Sequence, residues 1–313
     1  MRPNHIVESQ QFTVPLLMEL FERTEHMKKI VKRGGTRDYE NKIMATVFYK
    51  PSTRTRFSFE SAMHRLGGRV LSTENAQDFS SEVAGETIED TIRIIAHYSD
   101  AIVLRHHEEG GAKRAAAVSP VPIINAGDGS GGQHPTQALL DLYTIYSECN
   151  ALDGLSVAFF GALDQGRTVR SLAYLLAKFD RIKLYFIAPD EMQIKPDILE
   201  YLEERGVNYE LANSSKGILE RVDVAYQTRI DRERLIDQHI DLSVFNIDKE
   251  ALKIMKYNSV IMHPLPRSVE IDTEVDSDPR AAYFRQTQNG LYVRMALLTM
   301  LFEDEQIDFK RIF

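Results

Sequence analysis

Ser52, Thr53, Arg54 and Thr55 stand between an apolar run at 43–49 and an amphipathic run at 57–66. The first run has the length and composition of a buried strand, and the second has the spacing of a helix. Three hydroxyls and a guanidinium are therefore expected where a strand ends and a helix begins. Backbone N–H groups have no intrahelical partner at such a point, and the helix dipole favours an anion there. Arginine adds a fork that grips phosphate through two parallel hydrogen bonds. The chemistry this predicts is a phosphate cradle, with Arg56 packed into the same turn. The plain alternative is an ordinary capped helix start with solvated arginines.

Further reactive side chains fall at other predicted strand ends and helix starts. Arg105, His106 and His107 follow a strand at 101–104, and Arg229 follows one at 222–227. His134, Pro135, Thr136 and Gln137 open a helix with proline at its first position. Gly166, Arg167 and Thr168 open another, and His263, Pro264, Leu265, Pro266 and Arg267 follow a strand at 260–262. Thr55, Arg105 and His134 are donors suited to a carbonyl oxygen that becomes negative. Arg167 and Arg229 are each suited to a carboxylate. An acyl phosphate together with an amine bearing two carboxylates describes acyl transfer to an amino group. Each piece has a bland reading too: His134 as a helix-start residue, Arg167 as a solvated side chain, Arg229 as one member of an exposed charged run. The glycines at 161 and 166 frame neither a dinucleotide fingerprint nor a Walker loop, so nucleotide binding is not expected.

The elements that must hold these residues alternate in type. A helix at 11–33 capped by Thr13 precedes the strand at 43–49, and the cradle helix leads to a short strand at 70–73. A polar loop at 75–85, a helix at 87–98, strands at 101–104 and 121–126, a glycine-rich loop at 127–132 and a helix at 135–148 follow. The pattern restarts near 152–154. Strands at 156–160, 182–188, 207–211, 222–227 and 260–262 interleave with helices at 167–179 and 196–205, and a last helix covers 292–302. Such alternation implies parallel sheets with both faces covered. The expected fold is α/β with two doubly wound domains and a cleft between them, ligands lying beyond the carboxyl ends of the strands. The expected domains are 1–150 and 151–290, with 291–313 packing back on the first.

Totals narrow the function classes. The chain has 313 residues, enough for two ordinary domains, and is 43% hydrophobic and 27% charged, as globular proteins are. No run of about 18 apolar residues appears, so no membrane partner is expected. A net charge of −8 argues against a nucleic-acid surface but permits a local basic pocket. Cys149 is the one cysteine, which excludes an internal disulfide and, without a zinc-ligand pattern, leaves no metal or other cofactor expected. With no apolar signal core in the first eleven residues, a cytoplasmic location is expected.

Together these motifs resemble the aspartate carbamoyltransferase catalytic chain, over nearly the whole length. The resemblance rests on Ser52-Thr53-Arg54-Thr55-Arg56, Val103-Leu104-Arg105-His106, Asn125-Ala126-Gly127-Asp128-Gly129, His134-Pro135-Thr136-Gln137, Gly166-Arg167-Thr168-Val169, Thr228-Arg229 and His263-Pro264-Leu265-Pro266-Arg267. Ornithine carbamoyltransferases share the plan but usually carry cysteine where this chain has Pro264. The resemblance implies a site for carbamoyl phosphate and L-aspartate, shared between the subunits of a homotrimer. It implies that Ser52, Thr53, Arg54 and Thr55 bind the phosphate, and that Arg105 and His134 also bind carbamoyl phosphate and polarise its carbonyl. By the same resemblance Gln137 and the backbone carbonyls of Pro264 and Leu265 hold the carbamoyl amide, and Arg167 and Arg229 take the aspartate carboxylates. A regulatory chain or a dihydroorotase partner is left open, with 106–114 as the surface to inspect.

Two departures stand out. The loop at 77–86 resembles one that a neighbouring subunit inserts into the site, and it keeps Ser80, but Ala84 stands where the family has lysine. No lysine or arginine occurs anywhere in 71–92. Asp231 stands near the amino-acid substrate where the family usually has glutamine. Three expectations follow: an aspartate carbamoyltransferase of low activity or with a compensating cation, a carbamoyltransferase for another amine, and a weakly catalytic relative with a structural or regulatory role.

Overall fold

The computed structural model describes residues 3–75, 85–129, 131–229 and 245–303. Two compact units share the chain: Met1–Thr136 with Gly290–Phe313, and Gln137–Asn289.

In the first unit, α1 (Val14–Lys32) is capped by Thr13, whose hydroxyl accepts from the Leu16 N–H. Four parallel strands follow: β1 (Ile43–Phe48), β2 (Arg69–Glu74), β3 (Ala101–Arg105) and β4 (Ile123–Asn125), in the spatial order β2-β1-β3-β4. Alternate residues of β1 feed opposite faces. Ala45 and Val47 join Ile102, Leu104 and Ile123 in a core closed by Ile88, Ile92 and Ala96 of α3 (Ile88–Ala96) and Ala115 of α4 (Gly111–Val118). Thr46, on the other face, donates to Glu60 of α2 (Thr53–Arg65). Helices thus cover both faces, which is why β1 and β3 are buried almost throughout.

In the second unit five parallel strands stand in the order β7-β6-β5-β8-β9. They are β5 (Ser156–Phe160), β6 (Lys183–Ile187), β7 (Asn208–Ala212), β8 (Val224–Gln227) and β9 (Val260–Met262). Ala158, Phe160, Tyr185, Ile187, Ala225 and Ile261 line one face with Phe245, Ile247 and Val275. On the other face Phe159 stacks on Phe186 at 5.5 Å and meets Tyr226 edge-on at 5.6 Å. Each such side chain contributes about 1.5–3 kcal/mol by leaving water. α5 (Pro135–Cys149), α6 (Arg167–Leu176), α7 (Pro196–Glu204), α8 (Lys249–Ile254) and α9 (Tyr283–Phe302) complete the helices. The unit border falls inside α5 and again inside α9.

The α/β class and the parallel sheets agree with expectation. Three helical stretches differ. α4 and α8 were not expected, and α9 begins at Tyr283 rather than near 292, because Gln286 and Asn289 are buried polar residues that mask its apolar spacing. No described helix is long and apolar enough to cross a membrane.

Candidate functional site

In the first sheet the chain order reverses between β1 and β3: β2 lies beyond the one and β4 beyond the other. Open parallel sheets bind ligands at such a switch point, outside the carboxyl ends of the strands. Phe48 of β1 sits opposite Arg105, the last residue of β3. The chain leaves β1 and enters α2 with Ser52 as N-cap. Ser52 makes no side-chain bond to the helix's first turn. Its hydroxyl instead accepts from Arg105 Nη1 at 3.3 Å. The predicted cradle residues Thr53, Arg54 and Thr55 are therefore that first turn, at the seam, with the Arg105 guanidinium beside it.

The two cradle arginines separate in role. Arg56 Nη1 lies 2.9 Å from Glu74 Oε2, and its Nε 3.7 Å from Glu60 Oε1. Glu74 also accepts the Ser52 N–H at 3.1 Å, and Glu60 accepts the Ser72 hydroxyl at 2.6 Å. Arg56 therefore braces the turn against β2. Arg54 is exposed, and partial burial lowers its guanidinium from the ordinary value.

His134 is buried just before α5, with Nδ1 3.4 Å from Thr136 Oγ1. Side chains tie down the loop that brings it there. Asn125 Oδ1 accepts the Gly127 N–H at 2.8 Å, and Asp128 accepts the N–H of Gly110 at 3.0 Å and of Gln133 at 2.9 Å. His106 is different in kind. Burial, with His107 beside it, holds its imidazole down at about 4. Its ring stacks on His107 at 4.3 Å, and Nδ1 accepts the Glu108 N–H at 3.1 Å, so it is a neutral packing residue. In the 106–114 surface, Arg114 pairs with Glu89 at 2.7 Å and with Glu108 at 2.8 Å.

The second sheet repeats the logic. Its order reverses between β5 and β8, which pair with Phe160 opposite Gln227. Arg167 opens α6 after β5, and Arg229 follows β8, so both predicted carboxylate-holding arginines issue from this seam. The Thr228 hydroxyl donates to the Phe160 carbonyl at 2.8 Å, and the Ala162 N–H donates to the Arg229 carbonyl at 3.1 Å. Gly161 lies at φ +116, and an added Cβ would come within 2.5 Å of Thr228 Oγ1. Only glycine suits that crossing.

Beyond β9, the Leu265 N–H donates to His263 Nδ1 at 2.7 Å, and His263 Nε2 lies 2.9 Å from Glu270 Oε1. Acceptance at Nδ1 places the ring proton on Nε2, aimed at Glu270. Burial raises the Glu270 carboxyl, but the His263 and backbone hydrogen bonds outweigh it, and the net direction is down. Leu265 sits at φ +55 before a cis peptide to Pro266. Arg267 bonds to Asp276 and the Tyr283 hydroxyl and so belongs to the framework. Gln137 Nε2 donates to Asp141 Oδ1 at 2.8 Å. Neither Asp141 nor Glu74 was singled out in the sequence. A carboxylate amid the apolar stretch of α5 is an available signal for Asp141; Glu74 offers none, because its strand is mostly exposed. Ser80, Ala84 and Asp231 lie outside the described residues.

Two family models match the chain. "Aspartate/ornithine carbamoyltransferase, carbamoyl-P binding domain" covers residues 4–147, and "Aspartate/ornithine carbamoyltransferase, Asp/Orn binding domain" covers residues 153–301. The chain is 53% identical over 312 residues to the chloroplastic aspartate carbamoyltransferase of Oryza sativa subsp. japonica, covering 96% of this chain and 85% of that one. Its fold is similar to the catalytic subunit of M. jannaschii aspartate transcarbamoylase, with TM-score 0.89 and 43% identity over 98% of this chain and 100% of that one. It is also similar to Trypanosoma cruzi aspartate transcarbamoylase in complex with N-(phosphonacetyl)-L-aspartic acid, with TM-score 0.89 and 38% identity over 94% of each chain.

Proposed function

The chain belongs to the aspartate/ornithine carbamoyltransferase family, and from that membership we propose that it transfers the carbamoyl group of carbamoyl phosphate to the amino group of L-aspartate. The products are N-carbamoyl-L-aspartate and phosphate, as pyrimidine biosynthesis requires. One observation carries the reading: each sheet offers its cationic and hydroxyl groups at its own switch point, Ser52 with Arg105 in one and Arg167 with Arg229 in the other.

In this reading Ser52, Thr53, Arg54 and Thr55 hold the phosphate. Thr55, Arg105 and His134 stabilise the carbonyl oxygen as it gains charge. Gln137 and the carbonyls of Pro264 and Leu265 hold the carbamoyl –NH₂. Arg167 and Arg229 hold the two carboxylates of aspartate. The amine nitrogen bonds to the carbonyl carbon, the bond from that carbon to the phosphate oxygen breaks, and the departing phosphate accepts the amine proton. Most of the acceleration then comes from positioning and preset charge. The proposal extends to a homotrimer whose loop residues Ser80 and Ala84 serve a neighbouring subunit's site, and to a cytoplasmic location.

The test is ureido product formation by the purified chain with carbamoyl phosphate and aspartate. No product with aspartate, but product with another amine in a panel, would favour the second reading, which Ala84 and Asp231 support: a different acceptor. Ala84→Lys separates the two, since restoring a cation should raise aspartate turnover by about tenfold or more. A flat rate would remove the loop from the argument.

A further inference from the structure

Beneath Gln137 lies a buried chain of hydrogen bonds whose polarity is set at one end. The His263 backbone N–H donates to Gln286 Oε1 at 3.0 Å. A backbone N–H is only a donor, so the Gln286 amide has one permitted orientation, with its –NH₂ on the opposite side. That –NH₂ meets Asp141 Oδ1 at 2.6 Å. Oδ1 is therefore an acceptor. The Tyr226 hydroxyl, fully buried, donates to the other oxygen, Oδ2, at 2.6 Å. Gln137 also meets Oδ1, at 2.8 Å, and an acceptor there requires the –NH₂ of Gln137 as well. Asp141 and Tyr226 are fully buried, and Gln286 and His263 are 1% exposed, so water does not compete for the bonds among these four; Gln137, half-buried, is the end of the chain of bonds that meets the site.

We infer that Asp141 is a positioning residue. Through this chain of donors it turns the Gln137 amide so that its Oε1 faces away as an acceptor, and the site thereby selects an acyl phosphate bearing –NH₂ over one bearing –CH₃. The inference rests on the proposed function, in which Gln137 meets the carbamoyl amide. A methyl group offers that acceptor nothing, and a polar site loses most when its partner group is missing. Asp141 touches no reacting atom in this scheme; it acts through Gln137 alone.

The test compares three ligands on Asp141→Leu. A leucine there has similar bulk but no acceptor, so the Gln137 –NH₂ loses the oxygen that orients it and the amide is released to flip. The readouts are affinities for carbamoyl phosphate, acetyl phosphate and inorganic phosphate by calorimetry. The expected result is about tenfold weaker carbamoyl phosphate binding, with acetyl phosphate and phosphate nearly unchanged, so that the carbamoyl-to-acetyl preference collapses. Equal weakening of all three would mean a merely structural role and would overturn the inference, as would an unchanged preference. If the wild-type chain binds no carbamoyl phosphate at all, the proposed function has failed first. Should Asp141→Leu not fold, Asp141→Ala carries the same comparison, since it removes the same acceptor with a small helix-favouring side chain. Tyr226→Phe is the control: it removes the bonds to Oδ2 and to Thr168 but not the Gln137 bond to Oδ1, and should leave the preference intact.

Discussion

Arg105 reaches across the seam between β1 and β3 and donates from Nη1 to the Ser52 hydroxyl, 3.3 Å away. A hydroxyl that would ordinarily cap its own helix is thereby spent on a guanidinium. In the proposed reaction that guanidinium meets charge developing on the carbonyl oxygen. Arg105→Met should then lower kcat by about 10²- to 10³-fold, the cost of one preset donor. Ser52→Ala should cost only about tenfold or less, a neutral hydrogen bond's worth. Steady-state ureido assays on both variants check the order; equal losses would contradict it.

Arg54 and Arg56 differ by two positions and should differ in phenotype. Arg56 sits between Glu60 and Glu74, so Arg56→Met leaves two carboxylates without their cation and should destabilise the chain by about 1–3 kcal/mol. Arg54→Met should lower the melting temperature less than Arg56→Met does while abolishing most phosphate affinity. Thermal melts and phosphate calorimetry on the pair would read out the contrast. The reverse pattern would exchange the assigned roles.

Arg167 and Arg229 belong to the second sheet's seam. Replacing either by methionine should raise KM for aspartate by about a hundredfold, the weight of a charge-assisted bidentate pair. Carbamoyl phosphate affinity should stay within about twofold, because its proposed phosphate contacts lie in the other unit. A parallel loss of both affinities would show that the acceptor arginines had been misassigned.

His106 predicts a pH dependence of stability rather than of rate. The imidazole titrates near 6.5 in the unfolded chain and at about 4 in the folded one, because burial disfavours its charge. Between those values the unfolded chain binds the additional proton. The stability tied to this residue is full above about pH 6.5 and is lost as pH falls toward 4. Denaturant melts of the parent and of His106→Asn across that window should diverge, the variant showing the shallower slope. Coincident slopes would assign the acid sensitivity elsewhere.

Local pattern carried most of the architecture. The strands were legible because buried parallel strands are short apolar runs, and β1, β3 and β5 fall within a residue or two of their expected bounds. The cradle was legible because all its residues lie in one turn. α4 was hidden because Gly110, in a left-handed conformation, stands where a polar cap would announce a helix, and the preceding charges read as surface. The start of α9 was hidden by Gln286 and Asn289, whose partners Asp141 and Thr144 lie 145 positions earlier in each case. Pairings over such separations leave no mark on spacing, which is why the support of Gln137 emerged only in three dimensions.

The pairing of Phe48 with Arg105 in parallel strands has a practical consequence. Sliding β3 by one residue would send the Arg105 side chain to the opposite face of the sheet and dismantle the anion pocket. Ligand capacity is thus a threading gauge. Under the proposed function, the fraction of a preparation that takes up carbamoyl phosphate reports how many molecules have the two strands aligned, including after refolding.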